Sequence, residues 1–354
     1  MKRKLGDLAI IVKSKDSVEK IDRNKYVTTE NMISNRGGVS FPSSTVPKQN
    51  KLDTFDKDDV LVSNIRPYFK KIWKAPFGGY KSGDVLAFRT KDRDILSQEY
   101  LYILLESDRF FEYMTTTAKG TKMPRGDKKA IAEFPFDLPS IDIQKKRSHQ
   151  IEVIEQKISL NQQINANLQK LASTYFQFFL KKIETTNVLL EEVANIKSGG
   201  DKPKDITSKK DSDHLIPIFS NGMTNEGLYG YTKIAKIKEK AITVSARGTI
   251  GCTCLRTEPY FPIVRLISVI PYPKISVYYL YLWLLNTDIQ GFGTTQQQLT
   301  VPVFKKYSVS IPKDLKDMSF FDNHVSVFFE QIQKNKEETK LLKEIKESLL
   351  KKLF

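Results

Sequence analysis

The sequence predicts an α+β protein: two tandem globules of similar fold, joined by two long helices that pair as an antiparallel coiled coil about a pseudo-two-fold axis. Three observations carry this reading. Five sequence blocks recur in the same order in the two halves of the 354-residue chain. Each half ends in a stretch without Pro or Gly that holds apolar residues at heptad spacing. The blocks before it alternate apolar and polar residues between Gly, Pro and Asn, a pattern of short strands.

Repeats are sought first, because missing one misassigns the whole fold. "LGDLAII" from Leu5 is answered by "LEEVANI" from Leu190, 185 positions on. Strand-like runs ending Val-Ser follow at Ser63 and Ser245, offset 182, and "YLYILL" from Tyr100 meets "YLYLWLL" from Tyr279 at 179. Gly120–Pro139, "GTKMPRGDKKAIAEFPFDLP", then matches Gly293–Pro312, "GTTQQQLTVPVFKKYSVSIP", at 173; each reads as a polar turn and a short strand closed by Pro. The long helices come last, at 174. Offsets that drift while the order holds are what tandem copies with unequal loops produce. The expected divisions are 1–139 and 185–312 for the globules, and 140–184 and 313–354 for the helices. "SQEYLYILLESDRFFEYM" carries helical rather than strand spacing.

In the first long helix the a and d positions are Ile151, Ile154, Ile158, Asn161, Asn165, Leu168, Ala172, Tyr175 and Phe179. The second frame runs Val325, Phe328, Ile332, Asn335, Thr339, Leu342, Lys346, Leu349 and Leu353. Asn161 and Asn335 share one d position and are expected within about two helical turns of each other. A polar pair in an apolar seam lowers stability and sets register. The plainer alternative is two amphipathic helices, each packed on its own globule.

An apolar fraction of 40% fits a globular chain. The net charge of +16, from 57 basic and 41 acidic residues, points to a polyanionic partner, most often nucleic acid. A general enrichment in Lys is the bland explanation. Residues 140–182 and 313–354 hold +4 and +1 of the total, so the surplus sits mainly on the globules. Cys252 and Cys254 cannot form a disulfide framework, and His149, His214 and His324 are too scattered for a zinc set. The opening "MKRKLGDLAIIVKSKD" is too short in apolar residues for a signal peptide and no run approaches a membrane span, so a cytoplasmic location is expected.

No catalytic set emerges. "NIRPY" at Asn64–Tyr68 departs from the Asn-Pro-Pro-aromatic motif of amino-methyltransferases at its second and third residues. "FGGYKSGD" at Phe77–Asp84 lacks P-loop spacing, and Glu155-Gln-Lys157 lies in a helical frame with no upstream Asp to share a metal. The remaining features suit DNA. Arg66, Lys70, Lys71 and Lys74 alternate with Tyr68, Phe69, Trp73 and Phe77, cations for phosphates beside rings that hold a loop or touch bases. The matching "SARGTIG" has Arg247, Gly248 and Thr249, with Gly permitting close backbone approach. After the first Gly-Thr come Lys122, Arg125, Lys128 and Lys129, preceded by Lys119; after the second come Gln296, Gln297, Gln298 and Thr300. Arg and Lys suit guanine in the major groove and Gln suits adenine, so one scaffold with two sets of fingers reads two sequences. Taken singly, each such residue is more simply a solvated surface side chain.

At this point the chain resembles the DNA-specificity subunit of type I restriction–modification systems. The resemblance rests on "KLGDLAIIV" and "LLEEVANIKSGG", "VSNIRPYFKKIW" and "VSARGTIG", the paired Gly-Thr segments, and the helices ending "LQKLASTYFQFFL" and "LLKEIKESLLKKLF". It implies two target recognition domains, each binding half of a split site on double-stranded DNA. It implies a coiled-coil spacer on which two methyltransferase subunits dock, with restriction subunits joining them in defence against phage. No cofactor is implied on this chain; S-adenosylmethionine, ATP and Mg belong to the partners, as do adenine methylation and cleavage. Little sequence follows the second helix, which predicts weaker docking of the partner that contacts the family's tail. The competing readings are a stand-alone DNA-modifying enzyme and a structural coiled-coil protein whose charge is incidental.

Overall fold

Residues 2–17, 20–45, 47, 51–291 and 298–354 are described by the structure, a computed structural model. The chain divides into two units, one of residues 1–161 with 337–354 and one of residues 162–336.

In the first unit the run Val60–Ser63 is buried on both faces and forms an inner strand. Its sheet is antiparallel throughout, ordered Ala9–Ile11, Val85–Thr90, Val60–Ser63 and Ile72–Lys74. The two-residue period of a strand divides its side chains. Val60 and Val62 enter the main core with Phe88, Tyr100 and Phe110, whereas Leu61 points to a second core with Val27, Phe55 and Ala87. That second core is roofed by a sheet ordered Lys15–Ser17, Lys51–Phe55, Gly79–Lys81 and Tyr26–Val27. The helical run expected after it breaks in two, Gln98–Glu106 and Asp108–Thr116, because Ser107 is extended (ψ 149°). Ser97 and Ser107 cap the two pieces by accepting from the Tyr100 and Phe110 amides.

The second unit repeats this design. Its four-stranded antiparallel sheet runs Ala194–Ser198, Ile267–Pro271, Ala241–Val244 and Thr253–Arg256, the same order strand for strand. Ser276 caps the helix Val277–Leu285 through the Tyr279 amide, 179 positions after the Ser97–Tyr100 bond. Each unit holds a one-turn helix, Leu5–Leu8 or Leu190–Val193, beside a two-stranded ribbon. The ribbons join Lys2–Lys4 to Pro135–Asp137 and Thr185–Leu189 to Ser308–Pro312. In both Gly-Thr segments a five-residue helix precedes the strand, Lys128–Ala132 and Val301–Lys305. A helix of little more than one turn is too short to register as a period, so the turn-and-strand expectation is corrected here. Lys128 and Lys129 therefore sit on the helix and not in the turn.

The long helices are Ile141–Leu180 and Leu315–Leu353. In the first unit Ile151 and Leu350 share a core, Glu155 meets Lys346, and Asn161 donates to Glu338 at 2.7 Å. In the second, Asn335 donates to the Asn165 side-chain oxygen at 2.8 Å and Tyr175, Phe176 and Phe179 pack on Phe321. Residue numbers rise along one helix as they fall along the other, so the pairing is an antiparallel coiled coil in each unit. Asn161 and Asn335 are both buried, and each takes its side-chain partner from an acidic or amide group of its own unit. Replacing Asn335 with Ala removes this bond to the half-buried Asn165 side-chain oxygen, an expected loss of about 0.5–1.5 kcal/mol, the net worth of a typical hydrogen bond. Hydrogen exchange across residues 162–336 of the variant checks this; unchanged protection there would show that water replaces the lost donor.

Candidate DNA-recognition surface

In each unit the loop leaving the inner strand is stitched to the Gly-Thr segment by backbone bonds. In the first, the Gly126 amide donates to the Asn64 carbonyl at 3.0 Å and the Arg66 amide to that of Pro124 at 2.8 Å. In the second, the Leu299 amide donates to the Ala246 carbonyl at 2.9 Å. Gly126 and Leu299 are 173 positions apart, the offset of the Gly-Thr blocks, so Arg125 and Gln298 occupy one repeat position.

Arg66 adopts a left-handed backbone (φ 49°) at the start of the 3₁₀ turn Pro67–Phe69; the second unit has Gly248 (φ 70°) there. That turn exposes Tyr68 (48%) and Phe69, whose ring centroids lie 4.8 Å apart. The Asn35 and Arg36 amides donate to the Phe69 and Lys70 carbonyls at 2.8 and 2.9 Å. Arg36 and Lys70 both pair with Asp108, and Arg36 Nε also donates to the Glu106 carbonyl at 2.7 Å. Burial works to raise the Asp108 carboxyl, yet Lys70 and Arg36 hold it down to about 2. Lys70 is thus a clamp within the loop. Lys71 is likewise committed, donating to the Thr29 carbonyl at 2.6 Å, and burial pulls its ammonium below the usual lysine range.

Lys119 pairs with Asp127 at 2.6 Å and Arg125 with Asp84 at 3.3 Å. Lys122, Lys128 and Lys129 are exposed, and among the described residues no ion pair engages them. The last two line a groove of about 410 Å³ with Lys13 and Lys91. These two cations escaped the sequence reading. The repeat held a clue to Lys13, because Ser198, 185 positions on, lines the corresponding groove of the second unit. That groove, about 250 Å³, is also lined by Arg247, Arg265, Gln298 and Thr300. Arg247 donates to the Gln298 side-chain oxygen at 3.1 Å, and Thr249 is exposed next to Gly248. Gln296 and Gln297 lie outside the described residues. Among the described residues no cluster of three His, Cys, Asp or Glu could hold a metal, and no helix is long and apolar enough to cross a membrane. Burial pushes the Cys254 thiol up to about 11.

The class these features define is a two-module polyanion-binding protein, in which one scaffold displays two sets of polar side chains. Residues 1–170 and 182–347 match the type I restriction modification DNA specificity domain. The chain belongs to this family, as a DNA specificity subunit and not a catalytic one. It is 29% identical over 306 residues, 82% of each chain, to the Mycoplasma pneumoniae protein designated type I specificity subunit S.MpnORF507P. A second such protein of that organism, S.MpnORF89P, is 36% identical over 132 residues, 37% of this chain and 39% of that one. The crystal structure of the type I restriction–modification S subunit from M. genitalium shares the fold, with a TM-score of 0.61 and 16% identity, covering 100% of this chain and 96% of that one.

Proposed function

We propose that this chain reads a split site on double-stranded DNA for a type I restriction–modification complex. Residues 1–139 and 185–312 act as the two target recognition domains, each on one half-site. Residues 140–184 and 313–354 act as the spacer on which two methyltransferase subunits dock. Those subunits bring S-adenosylmethionine and methylate adenine, and restriction subunits bring ATP- and Mg-dependent cleavage, all in the cytoplasm. The observation that carries the reading is the shared stitch. One backbone arrangement presents Arg125 beside Asp84 in the first unit and Gln298 beside Arg247 in the second. Equal scaffolds with unequal donors and acceptors suit two different half-sites. Footprinting of the assembled complex tests it: two protected segments flanking an unprotected spacer are expected, and one continuous footprint would count against it.

A further inference from the structure

Asp84 and Arg265 stand at the same place in the two copies. Ala9 pairs with Thr90 and its repeat counterpart Ala194 pairs with Pro271, so these strands correspond at an offset of 181, and six residues earlier lie Asp84 and Arg265. The second pairing agrees, since Val62 faces Leu86 where Val244 faces Ile267. The charge at this position is inverted. In the first unit Asp84 holds the Arg125 guanidinium; in the second the partner position has become Gln298, held by Arg247 instead.

Arg265 is exposed and, among the described residues, no ion pair engages it. Its backbone is nevertheless firmly set. Val264 and Arg265 are both left-handed (φ 51° and 60°), a rare state for a β-branched residue and a form of strain that gathers at functional sites. Their amides donate to the Gly200 and Gly199 carbonyls at 2.9 and 3.0 Å. A Cβ on Gly199 would come within 2.8 Å of the Pro262 backbone, so that approach requires glycine. The Asn221 side chain then ties this turn to the Arg247 loop, donating to the Val264 carbonyl at 2.6 Å and accepting from the Ala246 amide at 2.8 Å.

Resting on the DNA-reading function above, we propose that this single repeat position sets specificity in both units. Arg265 is the second unit's reader of a base edge with two acceptors, as guanine presents in the major groove. Asp84 is the first unit's positioning residue, fixing Arg125 for the same kind of edge. Arginine meets such an edge with a planar, preset fork of two parallel donors, whereas lysine's rotatable ammonium fixes the geometry less. The exchange is therefore not conservative at a bidentate contact.

The test maps methylated positions and measures DNA affinity for the complete complex carrying Arg265→Lys, Arg265→Ala or Asp84→Asn. Arg265→Lys is expected to keep the salt dependence but relax one base pair of the second half-site by tenfold or more, on the order of one good bidentate contact. Asp84→Asn is expected to relax one base pair of the first half-site only, with Arg125 still present. If Arg265→Ala weakens all sequences alike and Lys restores them, Arg265 meets a phosphate and the assignment falls. Unchanged motifs in both Arg265→Lys and Asp84→Asn overturn it as well. A wild-type complex that directs no modification would instead defeat the underlying function. Thermal melting of each complex separates misfolding from lost reading, and the two variants lie in different units, so each arm stands without the other.

Discussion

Alanine at Lys122, Lys128 and Lys129 together lowers the affinity of the assembled complex for its DNA by about a hundredfold at ~0.15 M salt. The magnitude follows from counterion release. Each phosphate contact contributes about 0.9 to the slope of log affinity against log salt, so three contribute about 2.7, or roughly two decades relative to ~1 M salt. These three are chosen because they are exposed with no carboxylate engaging them among the described residues. Lys119 and Arg125 already satisfy Asp127 and Asp84, so their single replacement is expected to flatten the slope less. Titration at several salt concentrations reads both quantities. An unchanged slope would place this loop away from the DNA.

The second large effect is on stability. Replacing Lys346 with Ala is expected to destabilise the first unit by about 3–5 kcal/mol, the usual consequence of leaving a buried charge unpaired. Glu106 is fully buried and Lys346 nearly so; the ammonium lies 2.6 Å from the Glu106 carboxylate and also pairs with Glu155. Burial raises the Glu106 carboxyl above its ordinary value while Lys346 opposes that rise. A carboxyl raised in the folded state binds more protons there than in the unfolded chain, so its own contribution declines as pH rises through the carboxylate range. Burial works against the Lys346 charge too, but Glu106 and Glu155 outweigh it and raise the ammonium above its ordinary 10.5. Its contribution is whole at neutral pH and is lost as pH rises through that raised value. Hydrogen exchange resolves the units separately, since a single midpoint is ill-defined for a two-unit chain. Loss of protection in residues 1–161 but not in 162–336 is expected, together with a weaker alkaline limb. Equal protection in wild type and variant would mean the cluster is solvated.

The sequence held the repeat and the seam in plain view, because both are periodic. The strand order and the Ser97 and Ser276 caps are shared by the two units because the blocks recur in the same order. The antiparallel pairing is expected from the globule that separates the helices in sequence. Features that depend on a single residue or on distant partners were hidden. The break at Ser107 interrupts a helical period that otherwise continues. Lys70, Lys119 and Arg125 read as free cations because their acids, Asp108, Asp127 and Asp84, are supplied by folding. Lys346 stands at an a position of the seam, and its partner Glu106, 240 residues earlier, is brought to it only by folding. Arg265 escaped the sequence reading because its match to Asp84 shows only once the strand registers of the two units are aligned.

The central claim, that each unit reads one half-site independently, is tested most directly by mapping methylated adenines across a genome after residues 185–312 are exchanged for those of a related specificity subunit. A bipartite motif is expected in which one half changes to the donor's and the other half is retained. A motif altered in both halves, or one with no unread spacer, would contradict it.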